Sequence, residues 1–559
     1  MTFYQKRLRT LAPAKQKRPM KTKLKLCALI AFMLAAALRI EAQGLIFVNL
    51  RDLGGSVDLS FPSGGVAEYP PGNIIFAGGT GDNTHYFGAF GEFSGFEPGG
   101  DWNNYGTGNI TYSIPYTIGL PGDIWYPCTT VVAGDFNGDG TLELAVGASG
   151  GAANGVGGVE CFSVTPIGII PQATFSLIAS NGTDPSGITM GPDGSLFVTC
   201  ATGGTGYGTV YKVKVLHHEG IDELTGDLVL NCNGANGGNR PSGAVTFSPN
   251  GGTSQIVQKT GTKTTGAKAN ANTLTNYTVY GVTFFGGTNG AGPGTGGYGT
   301  VYKINNDGSG FQTLYVFSGQ RDTNGYGPAG GMALSGNTLY GTTSGGGANG
   351  AGAVFKIDTS GSNFMVLKSF SAWGTQIANG YYNYTNSDGM GPEGDLILSG
   401  DTLYGTTMEG GTNGGGGVVY SINTNGNNFT LLHTFSSPNN NGSGVFTNVD
   451  GGGTRAGLML TGHVLFGTTP YGGPYGGGTV FAIILPSPPS LKIAPAAGNF
   501  AVSWPSSATN FMLQKNLTLN SQTWSNFNGT VNDDGTNKSV SVILAAGNAF
   551  FRLLNTNGP

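Results

Sequence analysis

The chain has 559 residues, of which 102 are Gly and only 10% are charged, with a formal net charge of −4 at neutral pH. Gly without a strict three-residue period excludes collagen, and apolar runs that return on schedule exclude a disordered chain. Ten of the 26 basic and one of the 30 acidic residues fall within residues 1–42, leaving 16 basic against 29 acidic, a net of −13; nucleic acid and anionic membranes are poor partners for such a surface.

Nine Lys and Arg lie in the first 26 residues, followed by the apolar run Leu26–Leu38 and a small-residue cleavage point after Ala42. That order is a secretory signal, and the apolar run is too short to span a bilayer. Met20 offers an alternative start with its own basic region, and Cys27 precedes most of the apolar run, which excludes a lipoprotein cysteine. Residues 1–42 are thus expected to be a signal peptide, and the protein to be secreted or held at the cell surface. The next apolar run, Leu45–Leu50, has no repeat unit of its own.

Farther on, Trp102, Tyr105, Trp125 and Tyr126 stand among Asn, Gly and Pro, as do Tyr381, Tyr382 and Tyr384 later in the chain, and all are expected in loops between the repeat units. Exposed Tyr and Trp beside amides suit stacking on sugar rings; rings that plug the edges of sheets are the competing reading. Between the two groups, Asp135, Asn137, Asp139 and Glu143 supply oxygen ligands at positions 1, 3, 5 and 9 of a loop, with Thr141 at 7 and Gly140 at 6. This is the arrangement of a compact Ca²⁺ loop. It is not an EF-hand, because position 12 is Val146 and the flanks Val131–Ala133 and Leu142–Val146 read as strands. An Asx-rich hairpin turn without an ion is the alternative. The segment Val131–Val164 resembles the FG-GAP/VCBS repeat of integrin α-type propeller heads, which implies that the loop holds structural calcium between two strands of one blade. Glu143 stands where that family more often has Asp.

The middle of the chain repeats one phrase. Leu339-Tyr-Gly-Thr-Thr343 leads through Gly-rich residues to Val354-Phe-Lys-Ile357, and Leu403-Tyr-Gly-Thr-Thr407 leads to Val419-Tyr-Ser-Ile422. Val279, Leu465 and, more loosely, Leu196 and Leu142 begin further copies. In order along the chain the six starts are 54, 83, 60, 64 and 62 residues apart. A faint copy at Ile75 would make seven. Each period holds four runs of β-branched and aromatic residues bounded by Gly, Asn, Asp and Ser, and none sustains a capped helical pattern. Four strands per period of this length predict an all-β fold, a β-propeller of four-stranded blades. Seven blades are expected, within a range of six to eight. The last repeat is one strand short, and Leu45–Leu50 is expected to supply that strand and close the ring. The long gap comes from a Thr/Asn-rich insertion near residues 250–276, read as a solvated loop. These copies resemble the GloVer-type extracellular tandem repeat, a resemblance that implies no transferable activity.

Chemistry beyond the calcium loop is sparse. Cys128, Cys161, Cys200 and Cys232 remain after the signal, an even number that permits three disulfide pairings or four free thiols. Gly147–Gly151 fits Gly-x-Ser-x-Gly formally but lacks the strand–turn–helix of a nucleophile elbow. No catalytic residue and no organic cofactor is assigned. Glu393 and Asp395 are acids that sequence alone cannot pair. After the Pro/Ser linker 486–490, residues 491–559 show short alternating runs expected to form a small β-sandwich, resembling the short Trp-Pro…Phe-Phe-Arg-Leu domain that ends exported repeat proteins and serves sorting, attachment or binding. The reading is an exported propeller (43–485) acting as a binding or adhesion module for polysaccharide or an extracellular protein. An extracellular glycosidase or lyase is the alternative, and a structural surface component the third option.

Overall fold

The glycine of the repeated phrase makes room for an aromatic ring. In antiparallel register Gly281 faces Tyr302, Gly341 faces Phe355, Gly405 faces Tyr420 and Gly467 faces Phe481. A Cβ on Gly341 would come within 2.5 Å of the Phe355 ring, and one on Gly467 within 2.5 Å of the Phe481 ring. Cross-strand cover of this kind fixes register, because any slip would set a ring against a side chain. Leu339, Leu403 and Leu465, at the start of the phrase, are fully buried.

The computed structural model describes residues 46–52, 59–60, 65–68, 73–80, 88–94, 111–118, 124–127, 129, 131–136, 142–151, 158–165, 168–176, 183–202, 208–218, 221–231, 240–249, 276–287, 297–319, 322–378, 381–413, 415–437, 439–440, 446–486, 491–496, 499–506, 511–516, 524–542 and 549–555. All regular structure among them is β, and all strand ladders are antiparallel. Sheet I contains Leu59–Ser60, Val66–Glu68, Ile74–Thr80, Gly88–Ser94 and Thr111–Ile118. Sheet II contains Ile124–Pro127, Val132–Gly134, Glu143–Gly151, Gly158–Thr165 and Gly168–Ser176. In both, the first strand is broken into two pieces that pair with the same neighbour. Sheet III is Thr183–Met190, Leu196–Thr202, Thr209–His218 and Ile221–Asn231; sheet IV is Arg240–Pro249, Tyr277–Phe285, Thr300–Asn305 and Gln312–Val316. Sheet V is Ala333–Ser335, Thr338–Thr343, Ala353–Asp358 and Met365–Ser369; sheet VI is Ile397–Ser399, Thr402–Thr407, Val418–Asn423 and Thr430–Thr434. Sheet VII is Met459–Thr461, Val464–Thr469 and Thr479–Ile484, with Ile46–Asp52 as its fourth strand. That last pairing runs from Ile46 opposite Ile484 to Asp52 opposite Thr479, with one irregularity between Asn49 and Arg51.

The core is a series of apolar layers between successive sheets. Ile75 and Ala77 of sheet I pack with Leu144, Val146 and Phe162 of sheet II. Ala145, Val159 and Cys161 meet Val198, Cys200 and Tyr211, and Phe197 and Val210 meet Tyr277 and Tyr302. The pattern continues through Phe317 with Phe355, Phe370 with Tyr420, and Phe435 with Phe481. Sheet VII returns to sheet I through a hydrogen bond from Thr461 to the Glu68 carboxylate. Sandwiched strands apolar on both faces are the consequence of neighbours on each side.

In sheets V and VI the first–second and third–fourth connections lie at one end, and the second–third connections and the links to the next sheet lie at the other. The first end has tight turns at Gly336 (φ 56°) and Gly400 (φ 58°). The second carries the long Gly-rich connections. Thr479–Ile484 runs from this loop end to the turn end, so residues 486 onward depart from the turn end. Beyond them, a four-stranded sheet (Lys492–Ala496, Asn499–Pro505, Asn537–Val542, Asn532–Asp533) and a three-stranded one (Ser525–Asn526, Phe511–Asn516, Phe550–Asn555) share a core of Val502, Trp504, Leu513, Val540 and Val542. The Arg552 guanidinium lies 4.5 Å over the Trp524 ring and donates to the Gln514 amide oxygen.

Candidate functional site

At or just before the first strand of sheets III to VII stands a short element absent from the repeated phrase: Pro185-Ser-Gly187, Pro241-Ser-Gly243, Pro328-Ala-Gly330, Pro392-Glu-Gly394 and the variant Thr454-Arg-Ala456. Its glycine lies against the backbone of the next sheet's equivalent. A Cβ on Gly187 would overlap Gly243, one on Gly243 would overlap Gly331, one on Gly330 would overlap Gly394, and one on Gly394 would lie 2.5 Å from the Ala456 carbonyl oxygen. First strands therefore converge backbone to backbone. Hydroxyls fasten them: Thr199 donates to the Gly243 carbonyl at 2.9 Å, Ser242 to Ala329 at 2.6 Å and Thr454 to Thr407 at 3.1 Å.

The middle residues of these elements are Ser186, Ser242, Ala329, Glu393 and Arg455, and two positions on stand Ile188, Ala244, Gly331, Asp395 and Gly457. Charge is thus confined to sheets VI and VII. Arg455 lies 3.6 Å from the Glu393 carboxylate, and its Nε donates to the Met408 sulfur at 2.9 Å. Glu409 follows Met408 and is held by a reciprocal backbone pair with Met390, at 2.8 and 3.1 Å. Burial raises the Glu393 carboxyl above its ordinary 4.5, with the Arg455 charge opposing the rise. Burial also raises Glu409, and the Glu393 charge pushes it the same way against the weaker pull of Arg455. Asp395 is raised by burial although the Gly331 and Ala244 backbone N–H groups donate to it. Two carboxyls shifted toward the protonated form beside one guanidinium form an arrangement suited to proton transfer.

Two irregular hairpins flank this cluster at the loop end. Gly374–Ala378 pairs with Tyr381–Thr385 in the link from sheet V to VI, and Asn439–Asn440 pairs with Phe446–Thr447 in the link from VI to VII. Each link is pinned by an Asn-x-Asp-Gly knot. The Asn386 amide donates to the Ser371 and Gly389 carbonyls and accepts from Gly389 and Gly411; Asn448 does the same with Ser436, Gly451 and Gly473. Asp388 accepts from Lys368 at 2.5 Å, and Asp450 contacts His433 at 3.0 Å. The link from sheet IV to V has the order Asp322-Thr-Asn324-Gly325 instead, with Asp322 accepting from the Ser318 hydroxyl and the Asn324 N–H and Asn324 donating to the Tyr315 hydroxyl at 2.8 Å.

The residues singled out from sequence are distributed differently. Trp125 and Tyr126 are on a strand of sheet II, with Trp125 opposite Gly150, and Tyr381, Tyr382 and Tyr384 are on the second strand of the hairpin beside sheet VI. The expectation of loops is corrected at both places; flanking Asn and Gly shorten these strands without abolishing them. Trp102 and Tyr105 lie outside the described residues, as does the insertion at 250–275. Of the calcium-loop residues, Asp135 is exposed and Glu143 is fully buried, its carboxylate accepting the Phe136 N–H at 2.8 Å. Asn137, Asp139 and Thr141 lie outside the described residues, and among the described ones no group of three or more His, Cys, Asp or Glu is placed to hold a metal. Cys161 and Cys200 are buried in one apolar cluster, and burial pushes the Cys200 thiol up to about 12; Cys128 and Cys232 are outside the described set. Ser149 lies within the strand Glu143–Gly151, so no nucleophile elbow forms. Glu409 and Arg455 were missed. The Pro-x-Gly recurrence was the available signal, since it isolates Glu393 and Arg455 as departures.

Residues 129–159 match the FG-GAP repeat family. No curated protein matches the chain. Solved structures similar to it include a putative 6-phosphogluconolactonase from Bacteroides uniformis, with 16% identity, covering 68% of this chain and 86% of that one at a TM-score of 0.39. The polysaccharide lyase Uly1 has 11% identity, covering 80% and 94% at 0.39. The α-L-arabinofuranosidase Arb93A from Fusarium graminearum has 11% identity, covering 67% and 97% at 0.37. No residue role is carried over from any of them.

Proposed function

We propose that this protein is an exported β-propeller that binds extracellular polysaccharide at its loop end and cleaves it at Glu393, Glu409 and Arg455. The observation that carries the reading is the coincidence on sheet VI of two raised carboxyls, a guanidinium and both flanking hairpins. Glu409, shifted toward its protonated form by burial and by the Glu393 charge, gives its proton to the bridging oxygen as the glycosidic bond breaks. Glu393, raised by burial with the Arg455 charge opposing the rise, acts as its carboxylate and takes a proton from the water that adds to the sugar carbon. Met408 and the backbone pair of Glu409 with Met390 hold the acid and the guanidinium in place. Seven sheets, the pairing of Ile46–Asp52 with Thr479–Ile484 and the contact of sheet VII with sheet I support a closed ring of seven blades over residues 43–485. Its repeats are of the GloVer type, its FG-GAP unit holds a structural calcium, residues 1–42 are a removed export signal, and residues 491–559, beyond the linker 486–490, attach or sort the protein. A binding module without cleavage is the second reading, favoured by the exposure of Phe285, Tyr471 and Tyr475.

The test is reducing-sugar release from a panel of neutral and acidic polysaccharides. Wild type is expected to release sugar, and Glu409→Gln to lower the rate by about two to four orders of magnitude with polysaccharide retention unchanged. Retention without release by wild type would establish the binding module instead.

A further inference from the structure

Trp373 is a large aromatic that the repeat does not require and that stays 43% exposed. It stands between the last strand of sheet V and the hairpin Gly374–Ala378/Tyr381–Thr385. Tyr384, from the opposite hairpin strand, meets it edge to face, with centroids 5.1 Å apart and planes at 86°. An edge-on contact fixes the indole while leaving it accessible. Two residues before it, the half-buried Ser371 hydroxyl lies 2.9 Å from the exposed Ser387 hydroxyl. The nearest charges, Lys368 and Asp388, are spent on each other, and Asp388 also accepts the Ser371 N–H at 2.8 Å. The Asn386 knot anchors the same segment from below. An indole braced by a second ring, a pair of hydroxyls and, among the described residues, charges that are paired with each other constitute the chemistry that recognises an uncharged sugar: the ring stacks on the C–H face of a pyranose, and the hydroxyls bond its hydroxyls.

We infer that Trp373, backed by Tyr384 and bordered by Ser371 and Ser387, is a sugar-binding platform for a neutral pyranose unit of the polysaccharide. The inference rests on the proposed function for the identity of the polymer, but not for the cleavage step. The platform lies on the link into sheet VI, whereas Glu393 and Arg455 lie where the first strands converge, so a chain of several sugars is needed to occupy both. Shorter substrates reach only the acids. Tyr384, predicted from sequence as a direct ligand contact, becomes the residue that positions Trp373.

The experiment is affinity electrophoresis of the full chain through gels cast with a neutral β-glucan, a neutral xylan or polygalacturonate, run beside sugar-release assays on the same polymers and on a small aryl glycoside. Wild type is expected to be retarded by a neutral polymer. Trp373→Ala is expected to weaken retardation about tenfold, Trp373→Phe to restore part of it, and Glu409→Gln to leave it unchanged. Aryl glycoside turnover should be the same in wild type and Trp373→Ala. Equal retardation of wild type and Trp373→Ala, absence of retardation by any neutral gel, or retardation by polygalacturonate alone would each overturn the platform. If wild type releases no sugar yet Trp373→Ala loses retardation, the platform stands and the cleavage reading falls. Circular dichroism of each variant separates a binding loss from misfolding.

Discussion

Tyr420→Phe should stabilise the protein. Tyr420 lies over Gly405 in sheet VI, so close that a Cβ there would sit 2.5 Å from its hydroxyl oxygen and 2.6 Å from Cζ. The side chain is fully buried, and its hydroxyl has no hydrogen-bond partner. Burial alone drives its pKa upward. Sheets V and VII place Phe355 and Phe481 at the same register position, so the scaffold accommodates the ring without the oxygen. A buried unsatisfied polar group costs about 1–3 kcal/mol. The void left by one hydroxyl returns only about 0.2–0.4 kcal/mol of that, at ~24 cal/mol per Å³ of cavity. A net gain of about 1–2 kcal/mol is expected, while the ring contacts with Phe370 (5.4 Å) and Phe429 (5.5 Å) persist. Urea unfolding followed by fluorescence and circular dichroism is the assay, with the midpoint rising at unchanged m. Gly405→Ala supplies the opposite sign, because overpacking against an immobile ring costs about 1–3 kcal/mol. A Tyr420→Phe variant less stable than wild type would refute the reasoning, since the hydroxyl would then be satisfied in the folded protein.

Two further predictions concern charge. Asp395 has a raised pKa in the folded state, so at pH values between its unfolded 3.8 and its folded value the native protein holds the extra proton; this contribution to stability is complete below 3.8 and is lost as pH rises through the folded pKa. Thermal midpoints measured from pH 4 upward should therefore fall less steeply for Asp395→Asn than for wild type, and parallel curves would dismiss the assignment. If the FG-GAP loop holds calcium, chelation should lower the thermal midpoint and Ca²⁺ should restore it, in keeping with about 2.7 kcal/mol at a free concentration one hundred times the Kd; Asp135→Ala should abolish the response, and a chelator-insensitive wild type would leave the loop as a turn.

The all-β architecture was legible because its determinants are local and recur. Leu-Tyr-Gly-Thr-Thr, a Gly-rich connection and Val-Phe-Lys-Ile encode one hairpin each time they appear, so weak signals reinforce one another. The FG-GAP repeat was legible because its phrase is contiguous in the chain. The acid cluster was not, because Glu393, Glu409 and Arg455 come from two repeats and meet only where first strands converge. The knots were equally hidden: Lys368–Asp388 and His433–Asp450 span a strand and a link of variable length, so no fixed spacing announces them. Trp125, Tyr126 and Tyr381–Tyr384 were misplaced into loops because short strands between Gly and Asn lack the length on which an alternation can be counted.

A repetitive scaffold supplies its own controls, and that is the strongest argument for sheet VI. At the middle position of the Pro-x-Gly element the chain uses Ser, Ser and Ala before it uses Glu393 and then Arg455. After the phrase ending in Thr-Thr, sheet V continues with Ser344-Gly345 where sheet VI has Met408-Glu409 and sheet VII has Pro470-Tyr471. Backbone pairing is conserved through this change: Tyr326 bridges Gly345, Met390 bridges Glu409 and Gly452 bridges Tyr471. The fold therefore does not need a carboxyl at any of these places. Burying two of them together works against stability, since burial and mutual repulsion both oppose ionisation. Stabilisation does not explain why, among the described residues of sheets III to VII, sheet VI carries both acids, receives a guanidinium from its neighbour and is flanked by both extra hairpins. Chemistry performed at that point can.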